Sequence, residues 1–453
     1  MSQLPVTRPR RSAILVVAVC FTTIVFDGYD LVVYGTTVPS ILAYEPWAVT
    51  PAQAGAIGSY ALIGMLIGTL VVGTITDVIG YRKVMLLCIT WFSVAMALTS
   101  LANSPEVFGA LRFLAGLGLG GVVPTAIALT VEYSAPGKRQ INNAIMYSGY
   151  SVGGIGAALL GVALLPEHDF RVLYLIGAAP LLVVLPVAWR YLPESVAFLL
   201  SKGRIDQARE LADQYGIDYA AISAKVEQER QQSSGRWHNL RTIFSRHYIA
   251  ASILFAAASF CGLLLVYGLN TWLPQIMQKA GYSLGSSLSF LLVLNAGAVV
   301  GAIGASRLAD KIGVRPVVIG AFVAAAASVI LLSINPPTAL LFALVAVAGL
   351  GSVGTQILVN GYVATYYPDN VRATALGWSL GIGRTGAIMG PILGGLIASS
   401  ALGYQWNFYM FAVVAVIGMI VIAAVPRRGG RSGQPATTTD ESRPSASGSR
   451  TGN

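Results

Sequence analysis

The chain has 453 residues, of which 55% are hydrophobic and only 11% charged, with a mean hydropathy of +0.69. Soluble domains carry about 25% charged residues, so a water-soluble enzyme or DNA-binding module is excluded as a class. The formal charge of +10 sits in short stretches between apolar runs, where it reports orientation in a membrane and not nucleic-acid binding.

Runs of roughly 20 apolar residues, the length a helix needs to cross a bilayer, recur near 13–39, 53–76, 84–102, 107–132, 142–164, 172–192, 248–276, 284–308, 315–334, 339–363, 373–398 and 404–425. They lack the alternation of barrel strands, and lipid admits only helices and closed barrels. The expected fold is an all-α polytopic membrane protein with twelve transmembrane helices in two pseudo-repeated six-helix bundles, 13–192 and 248–426. Around them are expected a cytoplasmic N-terminal segment, 1–12, a cytoplasmic linker with an amphipathic helix, 193–247, and a disordered cytoplasmic tail, 427–453. The first run imitates a signal peptide but is too long and lacks a small-residue cleavage site, so it reads as a retained helix.

With the N-terminus inside, 25 of the 29 Lys and Arg fall on cytoplasmic stretches. Arg171 and Lys279 fall on outer loops, and Arg112 and Arg384 fall within spans. Both termini are therefore expected in the cytoplasm.

Span 1 carries Asp27 and Asp30 at bilayer depth, three residues apart and so on one helix face, with Tyr34 above them. A carboxylate there is costly and marks a functional position. Burial disfavours the charged form of a carboxylate and a nearby arginine favours it, which suits Asp27 and Asp30 to proton binding. Arg112 in span 4 needs a carboxylate partner, and Asp30 or Asp27 is nearest by depth; the alternative is an arginine snorkelling to the outer surface. Glu132 closes span 4 at the cytoplasmic end, either as a coupling carboxylate or as a solvated helix end.

The turn after span 2 holds Gly73, Asp77, Gly80, Arg82 and Lys83, and its Asp77, Gly80 and Arg82 return after span 8 as Asp310, Gly313 and Arg315, each offset by 233, with Lys311 beside them. A duplicated six-span unit is a transporter plan, with a substrate site at mid-membrane between the halves. The aspartates of these turns are expected to hold the inner helix ends together and release them when the carrier opens.

In the second half, Asn270 and Trp272 lie in span 7, Asn295 in span 8, and Gln356 and Asn360 four apart on one face of span 10. With Tyr34 they are candidates for a substrate pocket, although each aromatic could equally be core or interfacial belt. Arg384, deep in span 11, offers a planar fork that fits a carboxylate bidentately. A pair with Asp27 in the empty carrier, or a structural tether, are its other readings. Gly381, Gly383 and Gly386 spell a dinucleotide fingerprint, but no strand precedes it and no acidic residue follows at the required distance. Cys20, Cys88, Cys261 and the three histidines form no metal spacing. No metal, cofactor, catalytic cluster or Walker loop is expected, and Asp27 and Asp30 make protons the expected coupling ion.

The turn at Gly73, Asp77, Gly80, Arg82 and Lys83 resembles the signature of the major facilitator superfamily, departing from it at Val78, with Ser306 replacing the glycine in the second copy. Arg112 to Gly116, and Leu192 to Ser195, resemble two more of its motifs. Within that superfamily, Asp27 to Asp30 is similar to the hallmark of the aromatic acid:proton symporters. Glu132 with Tyr133, Asn270 to Pro274, and Gly383 to Gly386 also resemble that family. The resemblance implies a proton-coupled importer of a benzoate- or hydroxybenzoate-like acid, working as a monomer in a bacterial inner membrane. An exporter of organic compounds, or a membrane-embedded sensor or enzyme, are the alternatives.

Overall fold

The computed structural model describes residues 13–135, 137–232 and 236–426; the expected segment 1–12 and tail 427–453 lie outside the described residues. Among the described residues, twelve helices are long and apolar enough to cross a membrane. Spans 1 to 6 are Ala13–Ala43, Pro51–Ile79, Tyr81–Thr99, Pro105–Tyr133, Arg139–Leu164 and Arg171–Tyr191. Spans 7 to 12 are Ile249–Lys279, Leu284–Ile312, Val314–Leu332, Thr338–Tyr366, Val371–Ser399 and Gln405–Ala424. The end of the bundle where span 1 begins is called the basic end below, and the opposite end the far end.

Local chemistry sets the helix ends. Thr50 and Gln53 form a reciprocal capping box at the start of span 2, and Ser104 and Ser283 cap spans 4 and 8. At the basic end the turns between spans 2 and 3 and between spans 8 and 9 are made by Gly80 and Gly313, with φ of +98° and +92°. Only glycine adopts that backbone without strain, so the sequence repeat is a repeat of turn geometry. In each copy the arginine two residues on reaches a carbonyl at the end of the same half's last span. Arg82 Nη2 donates to Trp189 O at 2.6 Å, and Arg315 Nη2 donates to Ala423 O.

Two spans are less regular than their hydropathy predicts. Span 6 is interrupted by a 3₁₀ turn at Ala179–Leu181, where Pro180 and Pro186 each remove a backbone donor. Span 10 contains a π-helical stretch at Leu350–Gly354, built on glycines that let the helix widen; such stretches often sit at functional places. Its counterpart in span 4 lies in a continuous helix.

The connection between halves divides in two. Val196–Ser201, Ile205–Tyr215 and Tyr219–Gln232 share a small core of Val196, Leu199, Ala208, Ala212 and Ile222. They dock on the first half, where Tyr215 packs edge-on against Tyr133. Arg236–Ile243 docks on the second half, where Ser252 Oγ donates to Ile243 O at 2.7 Å.

The halves meet through spans 1 and 7, 2 and 11, and 5 and 8. The closest approaches lie toward the far end. A Cβ on Gly35 would sit 1.9 Å from Asn270 O, and one on Gly55 2.5 Å from Pro391 O, so backbone touches backbone there. Ser59 Oγ donates across the halves to Ile388 O at 2.7 Å. On span 11 the face that meets the first half at Ile388 and Pro391 continues back through Arg384, Gly381 and Gly377, and the last two are exposed. On span 5 the face that touches span 8 at Gly161 and Gly154 continues back to Tyr147, which is 43% exposed. The same faces that touch at the far end are thus open to solvent toward the basic end. The two bundles form a V whose opening reaches mid-membrane.

Candidate functional site

Arg112 and Asp30 form an ion pair across spans 4 and 1. Arg112 Nη1 lies 2.5 Å from Asp30 Oδ1, and both side chains are 1% exposed. Arg112 Nη2 also donates to Asp30 O at 3.2 Å, and the guanidinium lies 5.7 Å and 5.9 Å from the ring centroids of Tyr34 and Tyr174. This arginine points inward and does not snorkel.

Asp27 is also 1% exposed, and its Oδ1 is buried without a hydrogen-bond partner. The charges acting on it are those of Asp30 and Arg384. Its neighbour Gly28 packs against the backbone of Tyr150, which brings span 5 against this part of span 1. Arg384 is half-buried, and among the described residues its guanidinium makes neither a hydrogen bond nor an ion pair within 4.0 Å. An arginine at that depth facing an aqueous opening, with its fork free, has the chemistry to receive an anion.

Three tyrosines surround this pair. Tyr147 and Tyr150 of span 5 and Tyr267 of span 7 each interact electrostatically with both Asp27 and Arg384. The Tyr150 and Tyr267 side chains come from opposite halves and interact with each other. None of the three stood out in the sequence, because a tyrosine in an apolar span reads as core. The one signal was the i, i+3 pair at 147 and 150.

The other candidates separate into groups. Gln356 Nε2 donates to Asn360 Oδ1 at 3.1 Å and reaches Ser259 Oγ at 3.5 Å. Ser259 packs against Gly383, the residue before Arg384, so this polar patch adjoins the span 11 turn that carries Arg384. Asn295 Nδ2 donates to Asn270 Oδ1 at 3.0 Å within the second half, and a Cβ on Gly154 would meet Asn295 Oδ1 at 3.0 Å, across the halves. Tyr34 and Trp272 lie in the far-end seal: the Tyr34 hydroxyl donates to Ala54 O at 2.5 Å and Trp272 Nε1 to Pro391 O at 2.8 Å. The opening does not bring either to Arg384.

At the basic end, Glu132 is far from the Asp27 and Asp30 cluster. It accepts from Ser195 Oγ at 2.7 Å, from Ala197 N at 3.3 Å and from Val196 N. It thereby caps the helix Val196–Ser201 and ties the connection to span 4. Glu194 accepts from the backbone N of Arg82 and of Ser195, each at 3.0 Å. Gly73, Asp77, Lys83, Asp310 and Lys311 are exposed, and among the described residues the two aspartates make no ion pair. Among those residues there is also no group of His, Cys, Asp and Glu arranged to hold a metal ion.

Twelve spans in two related bundles, a charged cluster at mid-membrane and an opening on one side describe a transporter. The profile of the Major Facilitator Superfamily matches residues 20–306 and 293–450. The chain belongs to that superfamily and is a multi-pass membrane transporter, not an enzyme. The benzoate transport protein of Acinetobacter baylyi is 37% identical to it, over 89% of this chain and 88% of that protein. The gentisate transporter of Corynebacterium glutamicum is 38% identical, over 89% and 85%. Among solved structures, the inward-open xylose transporter XylE from E. coli superposes with a TM-score of 0.74 at 15% identity, covering 92% of this chain and 98% of that one. That likeness is one of fold.

Proposed function

We propose that the protein is a proton-coupled importer of an aromatic carboxylate, working by alternating access between its halves in the bacterial cytoplasmic membrane. One observation carries this reading: the unpaired guanidinium of Arg384, at the head of the opening and within electrostatic reach of Asp27. The relatives named for benzoate and gentisate transport support the acid class. Arg384 grips the carboxylate, and Asp27 carries the proton, since among the described residues it has no ion-pair partner within 4.0 Å whereas Asp30 is engaged by Arg112. Loading substrate beside Asp27 and Arg384 neutralises the cluster, so the halves can close over it without burying unpaired charge.

The lysines and arginines crowd the basic end, which is therefore cytoplasmic, and the described conformation is open to the cytoplasm. Asp77 and Asp310, exposed in this state, engage the opposing helix ends when that side closes. The inside-negative potential opposes entry of a carboxylate by ~2.3 kcal/mol per 100 mV, and one cotransported proton removes that penalty. The carrier acts as a monomer, since each chain holds a complete site.

The test is uptake of labelled benzoate or a hydroxybenzoate by the purified protein in liposomes, acid outside, measured against protein-free liposomes. Accumulation that a protonophore collapses is expected, together with an Asp27→Asn variant that binds the acid but does not accumulate it. Accumulation by Asp27→Asn with wild-type pH response would remove the proton assignment. Equal acid affinity in wild type and Arg384→Ala would remove the anchor.

A further inference from the structure

The carboxylate anchor leaves one feature of the site unexplained. An apolar ring needs only an apolar wall, which phenylalanine would supply, yet three tyrosines, Tyr147, Tyr150 and Tyr267, lie within electrostatic reach of both Arg384 and Asp27. Elsewhere in this chain buried tyrosines have partners for their hydroxyls: Tyr29, Tyr34 and Tyr133 donate to the carbonyls of Leu173, Ala54 and Glu194, and Tyr174 and Tyr367 pair with the hydroxyls of Thr37 and Ser252. Among the described residues none of Tyr147, Tyr150 and Tyr267 donates to a backbone carbonyl, and Tyr147 is 43% exposed on the open face of span 5. Tyr150 and Tyr267 are also partly accessible, which leaves their phenol lone pairs and protons within reach of a further group.

We infer that Tyr147, Tyr150 and Tyr267 form a hydroxyl-reading wall that selects ring-hydroxylated aromatic carboxylates over the unsubstituted acid. The inference rests on the proposed carboxylate anchor: Arg384 holds the carboxylate, and the ring is turned toward the phenols. An unsubstituted ring strips water from these hydroxyls and gives nothing back, whereas a ring hydroxyl both donates to and accepts from them. Because Tyr150 and Tyr267 belong to opposite halves, a hydroxylated ring also bridges the bundles that must close around it.

The test is binding of benzoate, 3-hydroxybenzoate, 4-hydroxybenzoate and the matched fluorobenzoates to the purified protein, wild type and Tyr147→Phe, Tyr150→Phe and Tyr267→Phe. A net hydrogen bond of ordinary strength predicts that wild type prefers the better hydroxy acid to its fluoro counterpart by about three- to tenfold. In at least one Phe variant that ratio should fall to near unity, with benzoate affinity within about twofold of wild type. The wild-type series stands even where a variant fails to fold. A wild type without preference for the hydroxyl, or variants in which all acids weaken equally or none does, would overturn the wall while leaving the Arg384 anchor intact. Failure of every acid to bind wild type would overturn both.

Discussion

Two arginines lie at membrane depth, one in each half, and they are held in opposite ways. Arg112 is fixed by Asp30 with both side chains 1% exposed, and it stands against two tyrosine rings. Arg384 faces the opening with no ion pair. A charge in a dry bundle must be paired, whereas one that water reaches can wait for a ligand. The first half therefore keeps its arginine as structure, whereas the proposed function gives the arginine of the second half to binding. Both sites meet at Asp27, whose charge interacts with Asp30 and with Arg384.

The comparison breaks most plainly in stability. Removing one partner of a buried pair costs about 3–5 kcal/mol, so Arg112→Ala should unfold far more readily in detergent, while Arg384→Ala should stay within ~1 kcal/mol of wild type because among the described residues Arg384 makes no ion pair within 4.0 Å and it faces water. Chemical or thermal unfolding followed by tryptophan fluorescence reads both. Comparable losses in the two variants would mean that Arg384 is a structural tether after all.

Binding should show the reverse order. A charge-assisted contact is worth about 1.5–3 kcal/mol, so Arg384→Ala should weaken the acid by about ten- to a hundredfold. Arg384→Lys should recover only part of this, since a point charge replaces a planar fork. Calorimetry on the folded variants measures it, with an amide analogue of the acid as control. An amide that loses as much as the acid would show that the guanidinium is not reading the carboxylate.

Much of this was legible in the sequence, because hydropathy fixes spans and lipid makes every charge at depth conspicuous. Asp27, Asp30, Arg112 and Arg384 stood out for that reason, and the 233-residue offset exposed the paired turns at Gly80 and Gly313. What stayed hidden depends on how helices cross. Depth along a single span could not separate Asp27 from Asp30 as the partner of Arg112. It also pointed to Tyr34 and Trp272, whose polar atoms are engaged by Ala54 O and Pro391 O in the far-end seal, and passed over Tyr147, Tyr150 and Tyr267. The π-helical stretch of span 10 arises from packing on a glycine-rich run that reads as ordinary helix.

A third, intermediate effect concerns where the halves touch. A Cβ on Gly35 meets Asn270 O in the other half at 1.9 Å, so Gly35→Ala must push the far ends apart, and overpacking of this kind costs about 1–3 kcal/mol. In a two-state carrier that cost falls on the described state alone, shifting the population toward the state open at the far end. A cysteine introduced at Gly381, on the exposed face of span 11, should then react more slowly with a water-soluble thiol reagent. Unchanged labelling would mean that this contact persists in both states.

The smallest expected effect tests whether the two halves are equivalent where the arginines at depth are not. Arg82 and Arg315 occupy matched places after Gly80 and Gly313 and reach the carbonyls of Trp189 and Ala423. Each side-chain bond should contribute about 0.5–1.5 kcal/mol. Arg82 has one further tie, from its backbone N to Glu194 Oε1 at 3.0 Å, but a side-chain substitution leaves that bond in place. Arg82→Ala and Arg315→Ala should therefore cost similar amounts in unfolding experiments. Because they lie in different bundles with no shared partner, the double variant should be additive within about 0.5 kcal/mol. A markedly larger loss for Arg82→Ala would show that its guanidinium also supports the connection docked on the first half. The repeat would then have diverged at the basic end as it has at mid-membrane.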